Sequence, residues 1–184
     1  MDLDGWMHDV VRRFPKDAII TNDAGNFFGW LSRYYRFEKE HTYIGPTSGA
    51  MGYGLPAAIG AKLARPDKLV VSFSGDGGFM MTVQEFETAV RYRIPIISIV
   101  INNHRYGTIR THQEKRFPHR VIGTELTNPN FAELAKLMGG HGERVRRNAD
   151  FLPAFERAVK AGRPAVIEVL AHPDRLSVNH PKDR

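Results

Sequence analysis

Residues 68–107, KLVVSFSGDGGFMMTVQEFETAVRYRIPIISIVINNHRYG, contain two apolar runs. The first run, 68–74, is rich in β-branched residues, and the second, 94–101, is the most apolar run of the chain. Both predict strands, and the second has the length and composition of a central strand that is buried on both faces. The capping-box pattern Thr82-Val83-Gln84-Glu85 predicts a helix between them, up to about Arg91. A helix of this length can return the chain to the same sheet, so we expect two neighbouring parallel strands.

The same alternation of strands and helices continues through the rest of the chain. It predicts an α/β domain with helices on both faces of a mainly parallel sheet, a three-layer α/β/α arrangement that occupies 1–184 as a single domain. The polar tail after His172 is expected to fray. Further strands are predicted at 18–21 and 164–170, and further helices at 56–64, 131–138 and 150–161.

One of these helices has clear boundary signals. Asn128 and Pro129 have the pattern of an N-cap followed by a first-turn proline, and Gly139-Gly140 has the pattern of a helix end. We therefore expect Asn128 to cap the helix that follows it.

Composition limits the possible functions. The chain has 184 residues, of which 42% are hydrophobic and 25% are charged, which is typical of one soluble globular domain. No apolar run reaches the roughly 20 residues of a membrane helix, and the acidic start, Met1-Asp2-Leu3-Asp4, lacks the apolar region of a secretory signal. The absence of cysteine excludes disulfides and thiolate metal sites. We expect a cytoplasmic protein with no membrane partner.

The net charge of +6 raises the question of nucleic-acid binding. The basic residues are dispersed, and the densest group, Arg144, Arg146 and Arg147, has no aromatic stacking residues around it. A solvated basic face or an anionic small ligand accounts for the charge better than a nucleic acid does. We expect no nucleic-acid partner.

Polar or glycine-rich loops follow three of the predicted strands, at 23–26, 75–78 and 102–107. The carboxyl ends of parallel strands meet at one rim of a sheet, where ligands bind in open α/β folds. Glycines allow backbone N–H groups to approach an anion, and the Asp76 carboxylate and the Asn103 amide oxygen suit a hard cation such as Mg²⁺. A lone Gly-Asp-Gly is usually only a turn, so the spacing of the motifs matters.

Twenty-four residues separate Gly77 from Asn102, and residues 47–58 read TSGAMGYGLPAA. This arrangement resembles the thiamine diphosphate (ThDP) signature. The resemblance is closest to the C-terminal ThDP-binding domain of acetolactate synthase-like enzymes, and it extends from about Asp4 to Leu170. It implies the ThDP-binding fold, with ThDP and Mg²⁺ as cofactors.

The resemblance also implies roles for individual residues. Mg²⁺ would be bound by Asp76, the Asn103 side chain and the Arg105 carbonyl. Met51 would hold the cofactor bent, the Gly49 carbonyl would accept a hydrogen bond from its 4′-amino group, and Thr108 would face the reactive carbon. The diphosphate would lie against the glycine-rich loops, at Gly25, Asn26, Gly75, Gly77, Gly78 and Gly107.

The implied enzyme decarboxylates a 2-oxoacid and transfers or releases the resulting acyl anion equivalent. Such enzymes use a glutamate of a separate pyrimidine-binding domain, usually from the partner subunit, and this chain contains no such domain. We therefore expect the isolated chain to be inactive and the complete enzyme to be a homodimer or homotetramer, in which FAD would bind outside this segment. An aromatic cluster, predicted to lie at a subunit interface, comprises Phe27, Phe28, Trp30, Tyr34 and Tyr35.

Two departures from the family pattern concern the substrate. His112 stands where acetohydroxyacid synthases have a tryptophan, and Gly78 replaces a serine that is common in the motif. A 2-oxoacid decarboxylase or a carbon–carbon lyase of the same superfamily is therefore an alternative. A nucleotide-binding α/β module without ThDP is a weaker one, because both G-x-G-x-x-G and G-x-x-x-x-G-K-[ST] are absent. His104, His112 and His119 lack the spacing of a helical zinc pair and are interpreted as surface residues.

Overall fold

The computed structural model describes residues 1–11 and 13–179, apart from the side chain of Asp9. Its six strands form one sheet in the order β2-β1-β3-β4-β6-β5, and every neighbouring pair is parallel. The strands are β1 Ile19–Asn22, β2 Tyr43–Ile44, β3 Val70–Gly75, β4 Ile97–Asn102, β5 His141–Val145 and β6 Ala165–Leu170.

Helices cover both faces of this sheet. In the described residues they are α1 Leu3–Val10, α2 Phe28–Tyr34, α3 Gly54–Ala64, α4 Asp76–Met81, α5 Glu85–Arg91, α6 Gly107–Arg116, α7 Phe131–Leu137 and α8 Asn148–Lys160. The predicted three-layer α/β/α architecture is confirmed. No helix in the described part of the chain is long and apolar enough to span a membrane.

Two hydrophobic cores lie on opposite faces of the sheet, because successive side chains of a strand alternate between its faces. Val71 and Phe73 of β3 belong to the core beneath α1, α2 and α8. Val70 of the same strand belongs to the core beneath α3, α5 and α7, where Phe131 packs edge-on against Phe79 with ring centroids 5.5 Å apart. The predicted burial of the central strand is confirmed, since every residue of β4 is buried.

Five local predictions were wrong, and the first concerns the loop after β3. Residues 76–78 are the first turn of α4 rather than a loop. Glycine is a poor helix former, so tertiary packing stabilises this turn, and Phe79 is fully buried.

The two predicted helix caps are also wrong. Thr82 caps nothing with its side chain, because its hydroxyl donates to the Gly52 carbonyl at 3.0 Å, and α5 begins only at Glu85. The N-cap of α7 is Asn130 rather than Asn128, and its Oδ1 accepts from the Glu133 N–H at 3.2 Å.

The aromatic cluster is mainly core. Phe27, Trp30 and Tyr35 are buried against Phe14 and the neighbouring side chains of the first core, so they do not form an exposed face of this chain. Only Phe28 and Tyr34 of the cluster are half-buried.

The described part of the tail, up to residue 179, packs against the domain instead of fraying. Leu176 is buried, and the Arg175 guanidinium lies 5.8 Å from the Trp30 ring centroid. The prediction for the remaining tail, 180–184, concerns positions outside the described residues.

Candidate functional site

The three loops meet at the carboxyl rim of the sheet. Asn22 of β1 pairs with Phe73 of β3, and Gly75 of β3 pairs with Ile101 of β4. Asp76 and Asn103 directly follow the paired strands β3 and β4. Because paired strands are about 4.8 Å apart, the backbones of these two residues start close together. The residues that follow these strands line one cavity, which is partly open to solvent.

Eleven of the twelve predicted site residues line this cavity. They are Gly25, Asn26, Met51, Gly75, Asp76, Gly77, Gly78, Asn103, Arg105, Gly107 and Thr108. The exception is Gly49, which lies in the exposed rim segment before Met51 and has a positive φ of 68°. The Ala24 N–H donates to the carbonyl of Ala50 at 3.0 Å, so this segment is fastened to the first loop.

Three of the five glycines of the cavity, Gly25, Gly77 and Gly78, leave no room for a side chain. A Cβ at Gly25 would lie 2.7 Å from the Phe27 ring, and one at Gly77 would lie 2.3 Å from the Tyr106 ring. Backbone is therefore exposed to the cavity where side chains would otherwise cover it. Helices α4 and α6 begin here, at Asp76 and Gly107, and the N–H groups of a first helical turn lack partners within the helix. This combination suits an anionic group.

Asp76 is the carboxylate of the cavity, and the residue is only 2% exposed. Its Oδ1 accepts from the Gly77 N–H at 3.0 Å, and its Oδ2 accepts from Asn128 Nδ2 at 2.7 Å. Burial raises the pKa of Asp76 above its ordinary value, and these two hydrogen bonds oppose the increase. The carboxylate is thus fixed at both oxygens, and the Gly77 N–H is already engaged by it.

The other two predicted metal ligands are close in the chain. Asn103 Oδ1 accepts from the Arg105 N–H at 3.3 Å, and the Arg105 carbonyl accepts from the Gly107 N–H at 2.9 Å. The Arg105 guanidinium turns away to Asp174, at 2.5 Å. Each of these oxygens retains a further lone pair, so both could also bind a cation.

These donors fit Mg²⁺. A carboxylate, an amide oxygen and a backbone carbonyl are hard oxygen ligands, and Mg²⁺ commonly completes such a set with ligand phosphates and water. In the described residues, no three His, Cys, Asp or Glu side chains cluster as a metal site. A cation in the cavity would therefore rely on amide and carbonyl oxygens in addition to Asp76.

Asn26 joins the first loop to the third. Its N–H donates to Thr108 Oγ at 3.1 Å, the Thr108 hydroxyl donates to Asn26 Oδ1 at 3.0 Å, and Asn26 Nδ2 donates to Thr111 at 3.1 Å. The Thr108 hydroxyl, which was predicted to face the reacting carbon, is therefore engaged with Asn26.

A family model described as "Thiamine pyrophosphate enzyme, C-terminal TPP binding domain" matches residues 23–169. The chain belongs to this family. The match removes support from the nucleotide-binding alternative without ThDP.

Individual relatives of this ThDP-binding domain agree with the family match. It is 32% identical over 169 residues to sulfoacetaldehyde acetyltransferase of Alcaligenes xylosoxydans xylosoxydans, an alignment that covers 89% of this chain and 28% of the relative. It is 36% identical over 159 residues to the acetolactate synthase isozyme 2 large subunit of Escherichia coli K12, covering 85% and 29%.

A solved structure shows the same fold. The ThDP-dependent 4-hydroxybenzoylformate decarboxylase of Rhodococcus jostii RHA1 superposes with a TM-score of 0.88 at 32% identity, covering 95% of this chain and 33% of that protein. The chain thus spans about a third or less of the length of these relatives.

Sequence reasoning missed two polar residues of this ThDP-binding domain. Asn128 was interpreted as a helix cap, although it binds Asp76. Asp23 is the second and is only 1% exposed. Its Oδ1 accepts from the Gly54 N–H at 2.5 Å, and its Oδ2 has no hydrogen-bond partner among the described residues. Burial raises the pKa of Asp23 above its ordinary value. A carboxylate directly after a buried strand was the available signal.

Proposed function

We propose that the chain binds the diphosphate end of ThDP through Mg²⁺, and that Asp76, the Asn103 side chain and the Arg105 carbonyl are the metal ligands. The main support is the buried Asp76 carboxylate, which lines the same glycine-lined cavity as Asn103 and Arg105 in a chain of the ThDP family. The chain would act as one ThDP-binding domain, over 1–184, of a larger enzyme.

Different residues of the chain would hold different parts of the cofactor. Gly25, Gly75, Gly78 and Gly107 allow the diphosphate to approach backbone, and Asn26 fixes the first loop against the third through Thr108. Met51, which lines the cavity, would support the bent cofactor, and the Gly49 carbonyl would accept from its amino group. When bound, ThDP supplies the electron sink for decarboxylation.

The activity proposed for the complete enzyme is decarboxylation of a 2-oxoacid followed by transfer or release of the acyl group, as in an acetolactate synthase-like enzyme. A decarboxylase or lyase is the second candidate, which the fold of the 4-hydroxybenzoylformate decarboxylase supports. His112 stands at the position of the family tryptophan and is exposed on α6. This position is therefore compatible with both candidate activities and does not identify the acceptor substrate.

The complete enzyme would contain a pyrimidine-binding domain, as a homodimer or homotetramer in the cytoplasm, with FAD, if used, outside this segment. The greater length of the relatives supports additional domains. Met80, Met81 and Ile109 are 42%, 50% and 47% exposed on α4 and α6, and these apolar side chains would be covered by such a domain. Without it we expect no 2-oxoacid turnover, and turnover by the isolated chain would contradict this.

Calorimetry tests the binding proposal. ThDP is titrated into the chain with and without Mg²⁺, and into Asp76→Ala, with Asp67→Ala as the matched control because Asp67 is an exposed aspartate in the turn before β3. Heat should require Mg²⁺, disappear in Asp76→Ala and persist in Asp67→Ala. Binding that is independent of Mg²⁺, or unchanged in Asp76→Ala, would refute the proposed site.

A further inference from the structure

The side chain of Asn128 connects Asp76 to the interior of the sheet. Its Nδ2 donates one hydrogen to Asp76 Oδ2 at 2.7 Å and the other to Asn102 Oδ1 at 2.9 Å. Both hydrogens of the amide are therefore used, and each has an acceptor at normal distance. Asn102, the last residue of β4, is fully buried.

Asn102 is held in one orientation from its other side. Its Nδ2 donates to Glu168 Oε1 at 2.7 Å, and its Oδ1 also accepts from the His104 N–H at 3.1 Å. Reversing this amide would place its oxygen against the Glu168 carboxylate and its NH₂ group against two donors. The Glu168 carboxylate thus dictates that Asn102 presents an acceptor to Asn128.

Glu168 itself is anchored within the sheet. The residue is 0% exposed on β6, and its Oε2 lies 3.1 Å from Arg144 Nε on β5, its register partner. Buried carboxylates are rare unless they are paired. A continuous series of polar contacts therefore runs from Arg144 through Glu168, Asn102 and Asn128 to Asp76.

We propose that Asn128 is a positioning residue for the metal ligand Asp76, and that Glu168 sets the direction of its hydrogen bond through Asn102. The inference rests on the proposed Mg²⁺–ThDP function. With Oδ1 held by Gly77 and Oδ2 held by Asn128, the carboxylate plane is fixed before a cation arrives. Partners of this kind orient metal ligands, and their removal typically weakens metal affinity by about 10–100-fold.

Asn128 is not needed as a helix cap, because Asn130 caps α7. This provides a matched control two residues away in the same loop. Removing Asn130 should lower the stability of α7 without altering Asp76, whereas removing Asn128 should alter Asp76 and leave the cap intact.

The test uses Asn128→Ala and the near-isosteric Asn128→Leu, with Asn130→Ala as control. The Mg²⁺ concentration that gives half-maximal ThDP binding is measured by calorimetry, and folding is checked by thermal denaturation. We expect both Asn128 variants to need about 10–100-fold more Mg²⁺, and Asn130→Ala to need the same concentration as the unmodified chain despite a lower melting temperature. Asn128→Leu preserves volume, so it keeps the test usable if the alanine variant does not fold.

A second readout needs no cofactor. In amide NMR spectra of the free chain, Asn128→Leu should shift the Gly77 and His104 resonances, whose N–H groups bond to Asp76 and Asn102, and Asn130→Ala should not. Unshifted resonances, or an unchanged Mg²⁺ requirement in both Asn128 variants, would overturn the inference while the proposed function stands. If the unmodified chain binds no ThDP with Mg²⁺, the proposed function fails and the inference fails with it.

Discussion

Gly78→Ala introduces a methyl group into the contact between α4 and the first loop. A Cβ at this position would lie 2.4 Å from Asp23 Oδ2 and 3.2 Å from Asp23 Cγ. The Asp23 side chain cannot move aside freely, because its Oδ1 accepts from the Gly54 N–H at 2.5 Å and the residue is buried.

The magnitude follows from two opposed effects. Overpacking of a buried site costs about 1–3 kcal/mol, whereas replacing glycine by alanine within a helix contributes up to about 1 kcal/mol of stabilisation. Gly60→Ala in α3 isolates the second effect, since a Cβ at Gly60 meets no atom within 4 Å. The free energies of unfolding of the two variants should therefore differ by about 1–3 kcal/mol, with Gly78→Ala the less stable.

Urea denaturation followed by circular dichroism measures both free energies. For a chain of this size each 1 kcal/mol corresponds to roughly 2–4 °C in Tm, so thermal denaturation provides an independent check. The clash disappears in the double variant Asp23→Ala/Gly78→Ala. The double-mutant cycle formed with the two single variants should therefore show a coupling energy of at least about 0.5 kcal/mol. If Gly78→Ala stabilises the chain as much as Gly60→Ala does, the Asp23 carboxylate does not occupy the space beside Gly78 and the reasoning is refuted.

Two further predictions concern the core and pH. Phe131→Ala removes the edge-on contact with Phe79 and should destabilise the chain by about 3–5 kcal/mol in urea denaturation; a loss no greater than that of the exposed control Leu137→Ala would contradict the assigned packing. Burial raises the pKa of Asp23 above its unfolded value near 3.8, so between these two pKa values the folded chain binds a proton that the unfolded chain does not. The stability of the unmodified chain relative to Asp23→Asn should consequently rise as pH falls from 7 toward 4, and parallel pH profiles for the two proteins would show that Asp23 is not the responsible group.

The strands that the sequence predicted are those with the strongest apolar runs. β1, β3, β4 and β6 supply residues to both cores and are recognisable from composition alone. β5 was not predicted, because His141–Val145 is mostly polar and lies at the edge of the sheet, where only Gly142 and Val145 are buried. β2 is a two-residue edge strand, which leaves no periodic pattern to detect.

The start of α7 was predicted wrongly because two nearby asparagines both suit the N-cap position. Asn128 and Asn130 flank Pro129, and either could cap α7 by sequence rules. The structure selects Asn130, which has the extended backbone of an N-cap. The choice depends on Asp76 and Asn102, which lie 52 and 26 residues from Asn128, and no local pattern contains that information.

The sequence indicates the residues of the site that lie in motifs more clearly than the residues that support them. Residues proposed to touch the cofactor stand at strand ends within recognisable motifs, and eleven of the twelve line the cavity at the rim of the sheet. Residues that hold those groups in place lie on other strands, yet one left a signal: Glu168 is an acidic side chain in the middle of the apolar run PAVIEVL. A carboxylate in a strand buried on both faces requires a partner, and here the partners are Arg144 and Asn102. The requirement for a partner, applied to Glu168, leads from β6 through Asn102 and Asn128 to Asp76, which extends the functional unit from the rim into the centre of the sheet.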